Sequence, residues 1–284
     1  MEKLLTHTDI FTPKNLKNLL VYIVLSIYCL IILLPIFWVI LGSFKRQIQL
    51  HDLQYFFRFS PTLENYQNLF YKRQLGPLFL NSIIVSCSAT LITIPLAYTA
   101  AYALSRFRIK GSQAISIAFL SAEMLPSIAL SVALYAIFRK AGLLNTLQGL
   151  IIAHTTFSLP FSIWILRAFL LNVPKEYEDS AMIDGCSKFK AMYKIIFPLS
   201  APGIITAALF IFLNSWGEFT FALTLTIDKS AQTAPIGIAS LISAYGIDWG
   251  GLLAGSTILI IPMLVFVLFA QKFLIEGLVG GIKE

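Results

Sequence analysis

The chain has 284 residues, of which 57% are hydrophobic and 12% charged; its formal net charge is +7 and its mean hydropathy is +0.80. An average soluble domain carries about twice this share of charged residues, and a soluble monomer of this size could not bury so much apolar side chain. The composition therefore excludes an ordinary soluble enzyme and a disordered chain, and it indicates an integral membrane protein.

Six apolar stretches are long enough to cross a bilayer, which needs about 20 residues per helix. They are residues 19–41, 79–104, 114–138, 149–171, 203–226 and 252–275. The first is too long for a signal-peptide core and has no small-x-small cleavage site, so we expect it to be retained. The sequence thus predicts an all-α, polytopic protein with an N-terminal segment, 1–18, and a transmembrane domain of six helices, 19–284.

The basic residues predict the orientation. They do not form one patch, which argues against a nucleic-acid partner, and most fall on the cytoplasmic side if both termini are cytoplasmic. The short loop Arg106–Lys110 and the segment 172–202 carry the most weight, because charges in a long loop such as 42–78 count for less. We therefore expect 42–78 to be an outer loop and 172–202 to be cytoplasmic.

The segment 172–202 has the local signals of two short helices. Pro174 suits the first position of a helix, Gly185 suits a left-handed stop, and Ser187 suits the cap of a second helix. That second helix would carry one apolar stripe, made of Phe189, Met192, Tyr193 and Ile196. Periodicity leaves two interpretations open: a helix lying on the membrane surface, or a helix that docks into a partner protein.

The same segment resembles a motif of the ABC importer permeases, in which EAA is followed by three residues, Gly, nine residues and I-x-L-P. Asp179-Ser180-Ala181 stands at EAA, Gly185 follows at the right distance, and Ile195-Ile196-Phe197-Pro198 stands at the end. Asp replaces Glu, Ser replaces the first Ala and Phe replaces Leu. The resemblance implies a coupling helix that docks into a cleft on an ATPase subunit.

Four further stretches resemble the carbohydrate-type permeases, so the likeness covers nearly the whole chain. They are Leu63-Glu64-Asn65-Tyr66, Gly142-Leu143-Leu144-Asn145-Thr146, the run from Asn214 to Leu225, and the ending Gln271–Lys283. The most similar group is the maltose-type second permease. The resemblance implies a type I ABC importer bundle in the bacterial or archaeal plasma (inner) membrane, forming half of a heterodimeric pore for a sugar or oligosaccharide.

The resemblance also implies the partners: a sister permease, a dimer of ATPase subunits and an extracytoplasmic solute-binding protein. The chain has no GxxxxGK[ST] sequence, and no GxGxxG after a strand. We therefore expect no enzymatic activity, cofactor or metal on this chain, with ATP and Mg bound by the ATPase subunits.

Polar residues inside the apolar stretches are candidates for the translocation path, because a charge in the bilayer core normally faces a cavity or a partner. The candidates are Glu123, His154, Asn214, Ser215, Trp216 and Glu218. Trp216 beside hydrogen-bonding groups would suit a sugar, although a polar cluster that packs helices together is an equal alternative for Glu218. Other interpretations remain: a secondary transporter that uses Glu123 or Glu218 for ion coupling, a permease for a non-sugar such as glycerol phosphate, and an integral membrane enzyme.

Overall fold

The computed structural model describes residues 13–56, 58–244 and 246–280. Within them the chain is a helical bundle with one small hairpin, so the predicted all-α class is confirmed. Four helices are long and apolar enough to cross a membrane. They are α1 (Pro13–Ser43), α4 (Gly76–Arg106), α7 (Leu147–Asn172) and α14 (Trp249–Gly280). Because residues 1–12 lie outside the described residues, the predicted division into 1–18 and 19–284 stays a prediction.

The third predicted stretch is not one continuous helix. It forms α5 (Ser112–Ala122) and α6 (Ser127–Ala141), which meet at an angle of 92°. Pro126 explains the break, since proline removes a backbone donor and disfavours a helical residue before it. Counting this bent pair as one span adds a fifth candidate crossing to the four continuous helices.

The fifth predicted stretch, 203–226, is also interrupted. Helix α11 (Ala201–Trp216) ends at Gly217, and α12 (Thr220–Leu225) follows after a short gap. At its other end α11 bends by 77° from the helical segment Lys188–Leu199. The predicted stretch 203–226 is thus interrupted at Gly217, and α11 with the bent segment before it is the sixth candidate span by length and composition alone.

The remaining elements are short. They are α2 (Gln47–Leu50), a 3₁₀ turn (Leu53–Tyr55), α3 (Glu64–Gln67) with a π-helical turn (Asn68–Lys72), α8 (Glu176–Ile183), α9 (Lys188–Ala191) with a π-helical turn (Met192–Ile196), α10 (Phe197–Leu199) and α13 (Ala234–Ala239). Strands β1 (Ile242–Ser243) and β2 (Gly246–Ile247) pair antiparallel, with Ile242 opposite Ile247.

Helices α4, α7 and α11 form the centre of the bundle. Their buried cluster joins small residues to large ones, so the helices approach closely; its members include Ala97, Tyr98, Ala101, Leu166, Leu170, Ile196 and Ala207. In contrast, α1 packs against α14 and its apolar side chains from Leu19 to Leu34 are exposed. In a membrane protein such a face contacts lipid or another subunit.

The 42–78 loop is folded rather than extended. The buried Asn65 amide donates to the carbonyls of Ser43 (2.8 Å) and Lys45 (2.7 Å). The buried Lys45 ammonium donates to the Phe56 carbonyl at 2.9 Å and lies 4.7 Å from the centre of the Trp38 ring. Burial lowers the pKa of Lys45 from 10.5, because the apolar surroundings disfavour the charged form.

Candidate translocation cavity and coupling segment

A cavity of about 300 Å³ lies between the two interrupted stretches and α7. The structure places five of the predicted path residues on its wall, although they come from three separate parts of the sequence. These residues are Glu123, His154, Asn214, Ser215 and Glu218.

His154 connects α7 to the interrupted fifth span. Its Nδ1 lies 2.6 Å from Ser215 Oγ, and its Nε2 lies 3.5 Å from Glu218 Oε2. The ring is buried, and Nε2 has no hydrogen-bond partner among the described residues. One ring nitrogen thus ties two helices together, while the other is buried beside the Glu218 carboxylate.

The carboxylate of Glu218 fills the gap between α11 and α12. It accepts hydrogen bonds from the backbone amides of Phe221 (2.7 Å) and Ala222 (3.1 Å) in the first turn of α12. Capping of this kind satisfies amides that the interrupted helix leaves without partners. Glu218 therefore has a structural role in addition to its place on the cavity wall.

Glu123 also lies at a break, directly after α5. Its side chain is exposed and makes no hydrogen bond or ion pair with any described residue. Since an unpaired carboxylate facing lipid is costly, Glu123 belongs on a surface that meets water or another subunit.

Trp216 is not part of the cavity. Its indole nitrogen donates to the Leu259 carbonyl at 3.0 Å, and its ring stacks on Phe212, with ring centres 5.8 Å apart. The aromatic surface at the cavity comes instead from Phe157 and Phe221, stacked with centres 4.5 Å apart. The sequence analysis missed Phe157, although its place three residues after His154 puts both on one face of α7.

The coupling segment, residues 172–202, contains the two short helices expected from the sequence. Gly185 adopts a φ of +85° between α8 and α9, which glycine tolerates better than other residues. Ser187 caps α9, because its hydroxyl accepts a hydrogen bond from the Lys190 amide at 3.3 Å.

The predicted apolar stripe is divided between the bundle and the surface. Met192 and Ile196 are buried in the central cluster, whereas Phe189 and Tyr193 are 69% and 39% exposed. The segment lies against α4, so one edge of the stripe is buried in the bundle and the other edge stays exposed.

The motif residues are divided in the same way. Ala181 is buried and Ile195 half-buried, while the others are exposed: Asp179, Ser180, Gly185 and Pro198. We call the exposed side chains of Asp179, Phe189 and Tyr193 the docking surface, because the resemblance to the permease motif implies a partner protein at this segment.

Glu178 is the functional candidate that the sequence analysis missed in this segment. Its carboxylate accepts hydrogen bonds from Arg106 Nε (2.5 Å) and the Tyr102 hydroxyl (3.0 Å). Arg106 also donates through Nη2 to the Val173 carbonyl at 2.9 Å. No local pattern could have revealed this pair, because 72 positions separate its members.

Residues 93–278 match the family model for the inner membrane component of binding-protein-dependent transport systems. The chain belongs to this family. It is therefore a permease subunit of an ABC importer, as the motif at 179–198 predicted, and it is an inner-membrane component.

Relatives that are named as sugar transport permeases match most of this chain. The trehalose/maltose transport system permease protein MalG of Thermococcus litoralis is 38% identical over 269 residues, covering 94% of this chain and 96% of its own. The trehalose transport system permease protein SugB of Mycobacterium tuberculosis is 36% identical, covering 88% and 91%. The diacetylchitobiose permease protein DasC of Streptomyces coelicolor is 32% identical, covering 87% and 90%.

Solved structures of ABC importers share the fold of this permease. A chain of a bacterial ABC transporter that imports the acidic polysaccharide alginate has a TM-score of 0.77 at 17% identity, with 96% of this chain and all of the other covered. The MetNI methionine transporter gives a TM-score of 0.57 at 16% identity. The predicted importer bundle is thereby confirmed, and none of these comparisons favours the secondary-transporter alternative.

Proposed function

We propose that this permease subunit imports a sugar or oligosaccharide through the cavity described above. The observation that supports it best is the cavity wall, where the hydroxyl of Ser215, the amide of Asn214 and the imidazole of His154 lie near the ring of Phe157. Hydroxyl groups of a sugar need such donors and acceptors, and the flat face of a sugar ring packs on an aromatic ring. The names of the trehalose, maltose and diacetylchitobiose relatives support the same substrate class.

The charge of the cavity argues for an uncharged sugar over a phosphorylated one. Glu123 and Glu218 both line it, and the described lining contains no Lys or Arg. A phosphate group would meet like charges in a setting of low dielectric constant, where repulsion is strong. Glycerol phosphate is therefore the weaker alternative.

The proposal includes the partners implied by the motif. A sister permease completes the pore, two ATPase subunits carry ATP and Mg and bind the docking surface, and an extracytoplasmic binding protein delivers the sugar. This chain performs no chemistry itself. Instead, the ATP-bound and ATP-free partners favour different states of the permease pair.

The decisive experiment is purification of the assembled complex and its reconstitution in vesicles. ATP hydrolysis is measured with binding proteins loaded with trehalose, maltose, diacetylchitobiose or glycerol phosphate. We expect at least one neutral saccharide to stimulate hydrolysis and to be taken up. Stimulation by glycerol phosphate alone would contradict the sugar proposal.

A variant tests whether the cavity lies on the path. The exposed Asn214 side chain makes no hydrogen bond with a described residue, so Asn214→Ala removes a cavity group without breaking a hydrogen bond. We expect it to change the relative uptake of the sugars while the yield of complex is unchanged. Thr206→Ala is the matched control, because Thr206 is on the same helix and its hydroxyl donates only to the Pro202 carbonyl one turn earlier.

Glu218→Gln separates the two roles of Glu218. If Glu218 lines the translocation path, Glu218→Gln changes which sugars are carried or how fast they are carried, and the complex stays intact. In a purely structural role, uptake of all sugars falls in proportion to the loss of intact complex. The second result would leave Glu218 as a cap for α12 only.

A further inference from the structure

Three side chains on one face of α4 hold the coupling segment. Tyr98, Tyr102 and Arg106 are spaced by four residues, so they stand one above the other along the helix. The Tyr98 hydroxyl donates to the Met192 carbonyl at 3.1 Å, while Tyr102 and Arg106 both donate to Glu178. We call Tyr98, Tyr102 and Arg106 the α4 ladder.

The α4 ladder bonds to the coupling segment on both sides of Gly185. Glu178 belongs to α8, before the glycine, and Met192 follows α9, after it. Gly185 is the joint between the two short helices, and its turn is closed by backbone hydrogen bonds from Gly185 to Met182 (3.1 Å) and from Cys186 to Ala181 (2.9 Å). The α4 ladder adds two attachments to one long helix, one on each side of this joint, and these resist a pivot about it.

The ion pair in the ladder is buried. The side chains of Arg106 and Glu178 are 6% and 12% exposed. Removing water from two charges costs about as much as their attraction returns, so an apolar pair of similar size would stabilise the fold equally well. The ion pair instead fixes the orientation of the coupling segment relative to α4, because the Arg106 guanidinium bonds to both Glu178 and the Val173 carbonyl.

The helix that carries the ladder also reaches the centre of the bundle. Ala97 and Ala101 of α4 belong to the same buried cluster as Leu166 of α7 and Ala207 of α11. Those two helices in turn carry His154 and Ser215 of the cavity. A continuous packed route therefore joins α8 to the cavity through α4.

We propose that Arg106 and Glu178 are positioning residues that make the coupling segment and α4 move as one rigid body. Movement of an ATPase at the docking surface then displaces α4 and the cavity, instead of being absorbed by a pivot at Gly185. Neither residue needs to touch ATP or sugar. The inference rests on the proposed function, because it requires an ATPase partner at the docking surface.

The test replaces the ion pair by an apolar pair, Arg106→Met with Glu178→Leu. This double variant leaves no lone buried charge and keeps most of the side-chain volume, but the Tyr102 hydroxyl loses its acceptor. We therefore expect the full complex to assemble with a modest loss of stability. Sugar uptake per ATP hydrolysed in vesicles should fall about tenfold, which is a typical coupling factor between two sites. Glu176→Gln is the matched control, since Glu176 is an exposed acid on the same helix.

A merely structural role makes the opposite prediction. In that case the apolar pair restores both yield and uptake per ATP, and an unchanged ratio overturns the inference. If the double variant does not assemble, Tyr102→Phe takes its place, because it removes one hydrogen bond to Glu178 and keeps the ion pair. A smaller fall in the ratio with full assembly then supports the inference, and no change overturns it.

The wild-type complex separates failure of the proposed function from failure of the positioning role. If it binds no ATPase or carries no sugar in an ATP-dependent way, the proposed function fails and this inference fails with it. If the wild type is coupled and the variants are equally coupled, the proposed function stands and the positioning role alone is wrong.

Discussion

Lys45 shows how one residue can organise a loop. Its ammonium has no carboxylate partner among the described residues and is held by the Phe56 carbonyl and by the faces of Trp38 and Phe59. Attraction between a cation and aromatic rings offsets part of the cost of removing the charge from water. The pKa of Lys45 is nevertheless lowered, because burial still disfavours the charged ammonium.

Stability should therefore depend on pH through Lys45. Between its lowered pKa in the folded protein and 10.5 in the unfolded chain, the unfolded state binds more protons. The free energy of unfolding then rises with pH in this window. We expect Lys45→Met to lose this rise, as measured by calorimetric unfolding at pH values just below 10.5. The exposed Lys72→Met is the control, and equal slopes in Lys45→Met and wild type would refute the prediction.

Gly185 offers a second test on the scale of a residue. Valine at a φ of +85° costs about 1–2 kcal/mol of backbone strain, and no neighbouring atom is in the way. We expect Gly185→Val to weaken binding of the ATPase subunits and leave the membrane bundle folded, as measured by co-purification and thermal unfolding. Gly111→Val introduces the same strain at a φ of +80° outside the coupling segment. If both variants bind ATPase as the wild type does, the docking role of the segment is wrong.

At the scale of the element, hydropathy located the apolar stretches but not the interruptions within them. A window of apolar residues continues through 123–126 and 217–219, because composition does not report where a helix stops. Pro126 was a usable signal for the first break, whereas the second depends on Glu218 capping α12. Similarly, periodicity grouped Met192 with Phe189, and only packing against α4 separates the buried residue from the exposed one.

Helix packing gives a prediction at this scale. A Cβ on Gly203 of α11 would lie 2.5 Å from the ring of Phe169 on α7, which is too close without movement of the helices. We expect Gly203→Ala to destabilise the bundle by about 1–3 kcal/mol, measured by thermal unfolding in detergent. Gly217→Ala is the control, since its nearest neighbour is 3.5 Å away. Equal stability of the two variants would show that α11 can shift at no cost.

At the scale of the whole molecule, the sequence predicted which residues share the cavity better than it predicted what they do. Glu123, His154 and Glu218 attract notice because charged or polar side chains are rare in apolar stretches. Trp216 attracted the same notice for its chemistry, but its ring points into the bundle. The pairing of Arg106 with Glu178 depends on how distant segments pack, and no property of either residue alone indicates it.

The orientation of the molecule remains a prediction that labelling can test. Asn65 is buried and holds the 42–78 loop, so the exposed Tyr71 is the better position for a cysteine outside. In a background without Cys29, Cys87 and Cys186, we expect Tyr71→Cys to react with an impermeant reagent from outside. The exposed Ile183, in the coupling segment, should as cysteine react only from the cytoplasmic side. The reverse pattern would invert the topology and remove the docking surface from the ATPases.

The amides of Phe221 and Ala222 donate to a side chain, whereas amides inside α4 donate to the carbonyl one turn earlier. A side-chain acceptor can rotate away without unwinding a helix, so these two amides open at low free-energy cost. They should exchange their hydrogens for deuterium much faster than the amides in the middle of α4, although both lie in apolar stretches. Water must reach them for this to occur. Fast exchange at these two positions would thus reveal a water-accessible site within the bundle. Slower exchange after sugar is added would report that the sugar occupies this site.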